Sequence, residues 1–386
     1  MYPNLYYLVQ DLFGIQLNAL KLVNSFGFFV ALAFVASGYV LHSELKRKEA
    51  LGEFVPVEET FIEGAPASMG DLITAFAFGF LFGFKIIGAF LIQNALNNTQ
   101  AFILSLQGNV GAGILVGGLM TYLKWREKNK LKLDKPVTKK YLVWPHDRVG
   151  DIVLQAALWG FLGAKIFHNL ENLDDFMKDP IGSLISFSGL TFYGGLILAT
   201  IGIIFYVRKY NMRVINFADA MAPTMLFAYA AGRIGCHMSG DGDWGIVNTH
   251  PKPFSWMPDW SWAYQYPHNV VNEGVAIPGC VGNYCNQLPF PVYPTTLFEI
   301  IGTFILFGIM WLIRKKITQP GFLTGLYLVF AGTERFLIEK IRVNNRIHSL
   351  PFEPTQAELI SIILILFGIV FLVFSKKWFP KINHNA

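Results

Sequence analysis

The sequence predicts an all-α, polytopic integral membrane protein with about nine transmembrane helices and a small extracytoplasmic head. Of its 386 residues, 53% are hydrophobic and only 15% are charged. Soluble domains are roughly 45–50% apolar and about 25% charged. About nine apolar segments, each of roughly 17–25 residues, are long enough to cross the hydrocarbon core of a bilayer.

The positions of the basic residues predict the orientation of these segments. The expected spans are 20–42, 71–95, 108–124, 150–169, 190–208, 216–235, 294–314, 321–341 and 356–376. Basic clusters follow only the odd-numbered spans, as Lys46-Arg47-Lys48 follows the first and Arg314-Lys315-Lys316 the seventh. Because cytoplasmic loops carry an excess of Lys and Arg, we expect the N-terminus outside and the C-terminus in the cytoplasm.

Composition along the chain predicts four parts. Residues 1–42 hold an N-terminal interfacial helix and the first span, and residues 43–148 form an inserted two-span unit with a basic cytoplasmic linker. Residues 149–376 form the membrane core, and 377–386 a cytoplasmic tail. Within the core, the tryptophan-rich segment 236–292 is expected to be a head at the outer membrane surface. Cys280 and Cys285 are expected to form a disulfide there, with two free thiols as the alternative.

The inserted unit resembles the start of the core. Four residues from Gly70 are similar to four from Gly150, and four from Gly83 are similar, at the same spacing, to four from Gly163. Duplication of a two-span unit explains this similarity. Chance likeness between glycine-rich apolar helices is the alternative.

A fixed positive charge ends span six, in Gly232-Arg233-Ile234-Gly235. An arginine at that depth in a membrane is costly, so it usually has a partner or a ligand. Asp241 and Asp243 follow closely and are candidate partners. Charged or polar residues of other spans that would help Arg233 to hold an anion are therefore candidate site residues.

Span eight carries Arg335, Glu339 and Arg342 at spacings i, i+4 and i+7, which predicts one shared helical face. Two guanidiniums held by one carboxylate are suited to clamping a phosphate. The alternative is a set of interfacial charges that snorkel toward water, the role expected for Glu334 and Lys340.

Two further spans contribute candidates. Glu299 lies about one turn inside span seven and is expected to be a buried partner of an arginine, which is compatible with a binding site. Tyr193 precedes paired glycines at the start of span five, which predicts a helix-packing notch or a polar contact to a ligand. Asp219 in span six is expected to be structural.

Five segments follow one another in the second part of the chain. They are Phe-Tyr-Gly-Gly-Leu (192–196), Asp-Ala-Met-Ala-Pro (219–223), Gly-Arg-Ile-Gly (232–235), Tyr-Pro-Thr-Thr-Leu-Phe-Glu (293–299) and Gly-Thr-Glu-Arg-Phe-Leu-Ile-Glu-Lys-Ile-Arg (332–342). In this order they resemble the prolipoprotein diacylglyceryl transferase family, an inner-membrane enzyme family of bacteria, and the resemblance covers roughly residues 150–376. It implies transfer of the diacylglyceryl group of phosphatidylglycerol to the lipobox cysteine thiol of a prolipoprotein, the first step of lipoprotein maturation, with release of glycerol phosphate.

The resemblance also implies roles for particular residues. The implied catalytic residues are Arg233, Tyr193, Asp241 and Arg335. The implied phosphatidylglycerol-binding residues are Arg233, Arg335, Glu339, Arg342, Glu299 and Tyr293. This chain departs from the family pattern where Tyr193 and Tyr293 replace histidines, Cys236 replaces an asparagine and Asp241 replaces a glutamate.

The expected partners are therefore phosphatidylglycerol, a prolipoprotein signal peptide with its lipobox cysteine, and the surrounding membrane lipid. No ligand cluster or phosphate loop appears in the sequence, so we expect no metal, no cofactor and no nucleic-acid partner. The alternative function is a non-catalytic relative that binds a phospholipid or a lipoprotein signal peptide. A transporter is disfavoured, because the charges cluster at the outer face rather than at the midplane.

Overall fold

Helices account for most of the residues that the computed structural model describes, namely 1–93, 95, 102–103, 105–185, 191–348 and 352–380. The α-helices of six or more residues are α1 (Leu5–Phe13), α2 (Ser25–Ala50), α3 (Met69–Phe82), α4 (Val110–Lys130), α5 (Val149–Glu171), α6 (Leu173–Lys178), α7 (Pro180–Ile185), α8 (Phe192–Lys209), α9 (Val214–Ser239), α10 (Thr295–Ile313), α11 (Phe322–Glu339) and α12 (Gln356–Trp378). A π-helical turn (Gly83–Ile87) and a short α-helical turn (Gly88–Leu91) continue α3. The strands are β1 (Val57–Glu63), β2 (Val137–Val143), β3 (Val275–Ala276) and β4 (Asn286–Gln287).

Six helices in the described ranges are long and apolar enough to cross a membrane. They are Ser25–Ala50, Met69–Leu91, Pro145–Glu171, Val214–Ser239, Thr295–Ile313 and Gln356–Trp378. Large apolar side chains on the helices face outward, as Val35, Leu115 and Leu312 are each more than two-thirds exposed. Such exposure is unusual in water but is expected against lipid. The helices α4, α8 and α11 overlap the three remaining predicted segments, and α4 continues to Lys130, beyond the predicted end at residue 124.

Helix α9 lies at the centre of the bundle and packs along α2, α10 and α11. Gly235 allows the close approach to α2, because a Cβ there would lie 3.0 Å from the carbonyl oxygen of Phe26. Nearer the other end of α9, Asp219 accepts hydrogen bonds from the backbone N–H groups of Gly321 (2.8 Å) and Thr324 (2.9 Å). These contacts cap the start of α11. They fix α11 relative to α9, which is the structural role expected for Asp219.

In the segment predicted to be an insertion, helices α3 and α4 form a hairpin, and strands β1 and β2 pair antiparallel. A Cβ on Gly83 would lie 2.3 Å from the carbonyl oxygen of Ala112, so the turn that continues α3 touches the backbone of α4. The α5–α8 hairpin has the same contact, since a Cβ on Gly163 would lie 2.3 Å from the carbonyl oxygen of Gly194. The two glycines that recur in the sequence therefore occupy equivalent places in the two hairpins.

A backbone hydrogen bond also recurs between the hairpins. Asn109 N–H donates to the carbonyl of Phe84, the residue after the first glycine, at 3.0 Å. Thr191 N–H donates to the carbonyl of Ala164, the residue after the second glycine, also at 3.0 Å. These shared contacts favour duplication over chance similarity.

The tight contact in the second hairpin gives a testable consequence. We expect Gly163→Ala to lower the free energy of unfolding by about 1–3 kcal/mol, because the added methyl would collide with the α8 backbone. Gly160→Ala on the same helix is the matched control, since its Cβ would have its nearest neighbour, Ala199 Cβ, at 4.0 Å. Thermal unfolding of the two variants in detergent checks this. Equal melting temperatures for both would contradict the packing described here.

The head begins where α9 ends, at Ser239, so it starts later than the predicted residue 236. Gly240 ends the helix in the left-handed region, at φ +66°. A small apolar core of Trp244, Tyr266, Leu288 and Val292 holds the head together. Cys280 and Cys285 form a disulfide, which confirms the sequence expectation.

Candidate active site

Arg233 projects from α9 into a cluster of opposite charge. Its Nη1 forms an ion pair with Asp243, and its Nε lies 2.9 Å from Glu299 Oε2. The guanidinium also lies over the ring of Tyr229, 5.1 Å from the ring centroid, one helical turn earlier on α9. The sequence expectation that this costly charge has partners is therefore confirmed.

Glu299 is the carboxylate that three arginines share. Its side chain is fully buried, and besides Arg233 it pairs with Arg335 Nη1 at 3.4 Å and Arg342 Nη1 at 3.6 Å. The hydroxyl of Tyr229 donates a hydrogen bond to it at 3.0 Å. Because α10, α9 and α11 meet at this point, Glu299 holds together guanidiniums that are far apart in the sequence.

The predicted shared face of span eight is partly wrong. Helix α11 ends at Glu339, so Arg342 lies in the turn beyond it and not on the same helical face. Glu339 pairs with Arg335 at 2.9 Å, as the i, i+4 spacing predicts. Arg342 instead pairs with Asp243 at 2.6 Å and with Glu299, so the carboxylate common to both arginines is Glu299 and not Glu339.

A close backbone contact brings Arg342 to the site. Ile246 N–H donates to the carbonyl of Ile341 at 2.9 Å, which joins the start of the head to the segment after α11. Gly245 makes this approach possible, because a Cβ there would lie 2.5 Å from the Ile341 oxygen. The close backbone contact that Gly245 allows thus brings Arg342 beside Asp243.

The two aspartates of the loop differ in their surroundings. Burial raises the pKa of Asp241, and the nearby charge of Asp243 raises it further. Burial alone would also raise the pKa of Asp243, but the guanidiniums of Arg233 and Arg342 outweigh it and lower that pKa below its ordinary value. Asp243 therefore serves as an ionised partner of arginine, whereas Asp241 is better suited to exchange a proton.

Cys236, Asp241 and Asp243 offer ligand atoms that lie within 4.8 Å of one another, a spacing that a metal ion would accept. However, Arg233 Nη1 lies 3.7 Å from the Cys236 sulfur, and both oxygens of Asp243 are engaged by guanidiniums. Positive charge so close to these groups disfavours a cation. Asp243 is therefore a partner of the two arginines rather than a metal ligand.

The two predicted site tyrosines, Tyr193 and Tyr293, lie in different surroundings. Tyr193 is in the first turn of α8, on the hairpin that packs with α5. Tyr293 is buried between the head and α10, where its hydroxyl is hydrogen-bonded to His250 Nδ1 at 3.0 Å. The ring of Trp262 packs edge-on against Tyr293. Tyr293 thus has its observed hydroxyl partner in the head rather than among the arginines, and the roles of both tyrosines stay predictions.

Three residues at the site are absent from the predicted catalytic and lipid-binding residues. Asp243, one of the two candidate partners of Arg233, is the aspartate that pairs with it. Tyr229 lies at the i−4 position from Arg233 on the same face of α9, a spacing that the sequence does reveal. Glu334 was expected to be an interfacial charge. It is partly buried beside Arg335, and in the described part of the chain its Oε1 has no hydrogen-bond partner.

The fold and the site define a helical, multi-pass membrane protein in which three arginines converge on buried carboxylates. The sequence profile of the prolipoprotein diacylglyceryl transferase family matches residues 110–374. The chain belongs to this family, which confirms the resemblance. The match begins at residue 110, which is earlier in the chain than residue 149, the predicted start of the membrane core.

Several curated relatives carry the name phosphatidylglycerol–prolipoprotein diacylglyceryl transferase. The protein from Leptospira interrogans is 30% identical over 283 residues, which cover 61% of this chain and 81% of the relative. That from Chlorobaculum tepidum is 27% identical over 286 residues, covering 69% of this chain and 85% of the relative. The protein from Vibrio cholerae is 27% identical over 240 residues, which cover 61% of this chain and 77% of the relative.

Proposed function

We propose that this protein transfers the diacylglyceryl group of phosphatidylglycerol to the lipobox cysteine thiol of a prolipoprotein. The observation that carries the proposal is the convergence of Arg233, Arg335 and Arg342 on Glu299 in a member of this family. Guanidiniums held by buried carboxylates form a preorganised site for a phosphate. The substrate named in the relatives, phosphatidylglycerol, carries its single negative charge on such a phosphate.

In this proposal the three arginines bind the phosphodiester, and Glu299 and Glu339 orient the guanidiniums. Tyr193 orients the phosphate through its hydroxyl. Tyr293 acts more indirectly, because its hydrogen bond with His250 holds the head against α10. The lipid tails lie against the outward-facing apolar side chains of the bundle.

The chemical step forms a bond between the cysteine sulfur and the terminal glyceryl carbon and breaks the bond from that carbon to the phosphate oxygen. The thiol must first lose its proton, because the thiolate is the nucleophile. Asp241 is the proposed acceptor of this proton. The glycerol phosphate leaves with the electron pair of the broken bond, and Arg233 and Arg335 stabilise the charge that develops on it.

The proposed placement follows from the sequence pattern. All nine predicted segments cross the bacterial inner membrane, with the N-terminus outside and the C-terminus in the cytoplasm. Residues 43–148 are a two-span insertion that arose by duplication, and 149–376 are the catalytic core. The arginine cluster then faces the outer side, where the lipobox cysteine of a translocated precursor would lie.

The role of Asp241 predicts a pH dependence. A general base acts only when deprotonated, so we expect the transfer rate to rise with pH through the raised pKa of Asp241 and then to level off. Asp241→Asn should lower the plateau rate by about 100-fold and remove this rise. Asp259→Asn is the matched control, because Asp259 is an exposed head carboxylate paired with Lys252. A wild-type pH profile in Asp241→Asn would assign the proton to another group.

The deciding experiment incubates the purified chain with phosphatidylglycerol and a peptide that contains a lipobox cysteine, and measures the peptide mass. The proposal expects a peptide heavier by one diacylglyceryl group and a stoichiometric release of glycerol phosphate. An unmodified peptide, under conditions in which the Leptospira relative modifies it, would reject the enzyme. Phospholipid or peptide binding in that same sample would then favour the non-catalytic relative, which the substitutions at Tyr193, Tyr293 and Cys236 make the second candidate.

A further inference from the structure

We propose that Asp243 occupies the place of the substrate phosphate between Arg233 and Arg342 and is displaced when the phosphodiester binds. The inference rests on the proposed function and adds a residue that controls access to its anion site. Asp243 follows Asp241 by two positions and directly precedes Trp244.

The geometry of the bridge is the first argument. One oxygen of Asp243 pairs with Arg233 Nη1, and the other lies 2.6 Å from Arg342 Nη2. A phosphodiester likewise offers two terminal oxygens that share one negative charge, and guanidiniums bind both carboxylates and phosphates. The carboxylate therefore satisfies the donors that a phosphate held by these two arginines would use.

The charge balance is the second argument. The three guanidiniums are paired with three carboxylates, those of Asp243, Glu299 and Glu339. An additional anion would enter a site that is already neutralised, with the carboxyl groups of Asp241 and Glu334 close by. Because like charges in a poorly solvated site repel strongly, one carboxylate must leave when a phosphate enters.

Burial identifies which carboxylate leaves. The side chains of Glu299 and Glu339 are 0% and 1% exposed, and both are fixed on helices. The side chain of Asp243 is 31% exposed and lies on the loop after Gly242. A charge moved out of the cluster must reach water to be solvated. Of these three carboxylates, Asp243 has the short route to solvent.

The motion required is small. The carbonyl of Asp243 accepts a hydrogen bond from Thr295 Oγ1 at 2.7 Å, and the next residue, Trp244, is buried in the head core. The backbone is therefore held on both sides, and the carboxylate can leave by rotation about the Cα–Cβ bond. Rotation exposes the two guanidiniums to the ligand without unfolding the loop.

The test compares binding of dihexanoyl-phosphatidylglycerol to the full chain in neutral detergent micelles by titration calorimetry. We expect Asp243→Asn to bind this lipid about tenfold or more tighter than the wild type, since no carboxylate competes for the arginines. Asp259→Asn removes an exposed head carboxylate and should bind within about twofold of the wild type. Equal or weaker binding by a folded Asp243→Asn protein would overturn the proposal.

A second measurement uses the unaltered chain, because the asparagine variant could fail to fold with its guanidiniums less well neutralised. Carbodiimide-coupled amine labelling, read by mass spectrometry, reports the accessibility of each carboxylate. We expect the lipid to increase labelling of Asp243 and to leave Glu299 unlabelled. Unchanged labelling of Asp243 at a saturating lipid concentration would overturn the displacement.

These outcomes are separate from the test of the proposed function. If neither the wild type nor Asp243→Asn binds the lipid, the phosphate clamp itself is wrong, and both proposals fall. If both proteins bind the lipid equally and transfer proceeds, the clamp stands and only the displacement of Asp243 is wrong.

Discussion

Replacement of Glu299 by glutamine is expected to abolish transfer and to destabilise the protein. Glu299 is fully buried, and its single negative charge offsets part of the positive charge of three guanidiniums. Removal of one partner from a buried ion pair costs about 3–5 kcal/mol, because the remaining charge is left uncompensated. In Glu299→Gln the three arginines would lose the carboxylate that they share and would repel one another. The helices α9, α10 and α11 would therefore be held together less firmly.

The loss of activity should exceed the loss of folded protein. At a temperature where Glu299→Gln is still folded, we expect the transfer rate to fall by about 100-fold or more, since the guanidiniums are no longer oriented. Glu127→Gln is the matched control, because Glu127 forms an exposed ion pair with Lys124 that contributes about 0–1 kcal/mol. A variant with wild-type melting temperature and rate would show that Glu299 does not organise the site.

Replacement of Arg233 by glutamine is expected to have the second large effect, a fall in transfer rate of roughly 10²–10³-fold. Arg233 is the central donor, since it reaches Asp243 with one nitrogen and Glu299 with another. Glutamine keeps a polar side chain but removes the charge that would stabilise the departing phosphate. The measurement is the initial rate of peptide modification at several phosphatidylglycerol concentrations.

Arg233→Lys separates charge from geometry. Lysine keeps the positive charge but has a single nitrogen and no fork, so it cannot hold Asp243 and Glu299 as Arg233 does. We expect it to recover only a small part of the lost rate. Arg126→Gln on α4 is the matched control, because Arg126 is an exposed arginine far along the inserted hairpin. Full activity in Arg233→Lys would mean that a point charge suffices.

The sequence determined those features that depend on local composition and spacing. Long apolar runs form helices because only helices satisfy their own backbone groups in lipid, and each predicted run does contain a helix. The Arg335–Glu339 pair forms as predicted, since i, i+4 neighbours on a helix always lie together. Short chain separation likewise made the Cys280–Cys285 disulfide predictable.

Only the tertiary structure decided how the charges are shared. The helix α11 stops at Glu339, and the contact of Gly245 with Ile341 then brings Arg342 to Asp243. The local sequence pattern does not show at which residue a helix ends when the segment after it pairs with a distant loop. The sequence likewise offered Asp241 and Asp243 as partners of Arg233 without choosing between them, and only the folded loop shows that Asp243 forms the pair.

The sequence by itself therefore determined a helical membrane protein of this family, with an arginine at the end of span six and a charged segment in span eight. The structure decided that Glu299 is the common carboxylate and that Asp243 bridges two guanidiniums. The physical reason is range: hydrophobicity and helical periodicity act within a few residues. The pairing of buried charges depends instead on which distant segments the packed bundle brings within about 4 Å of each other.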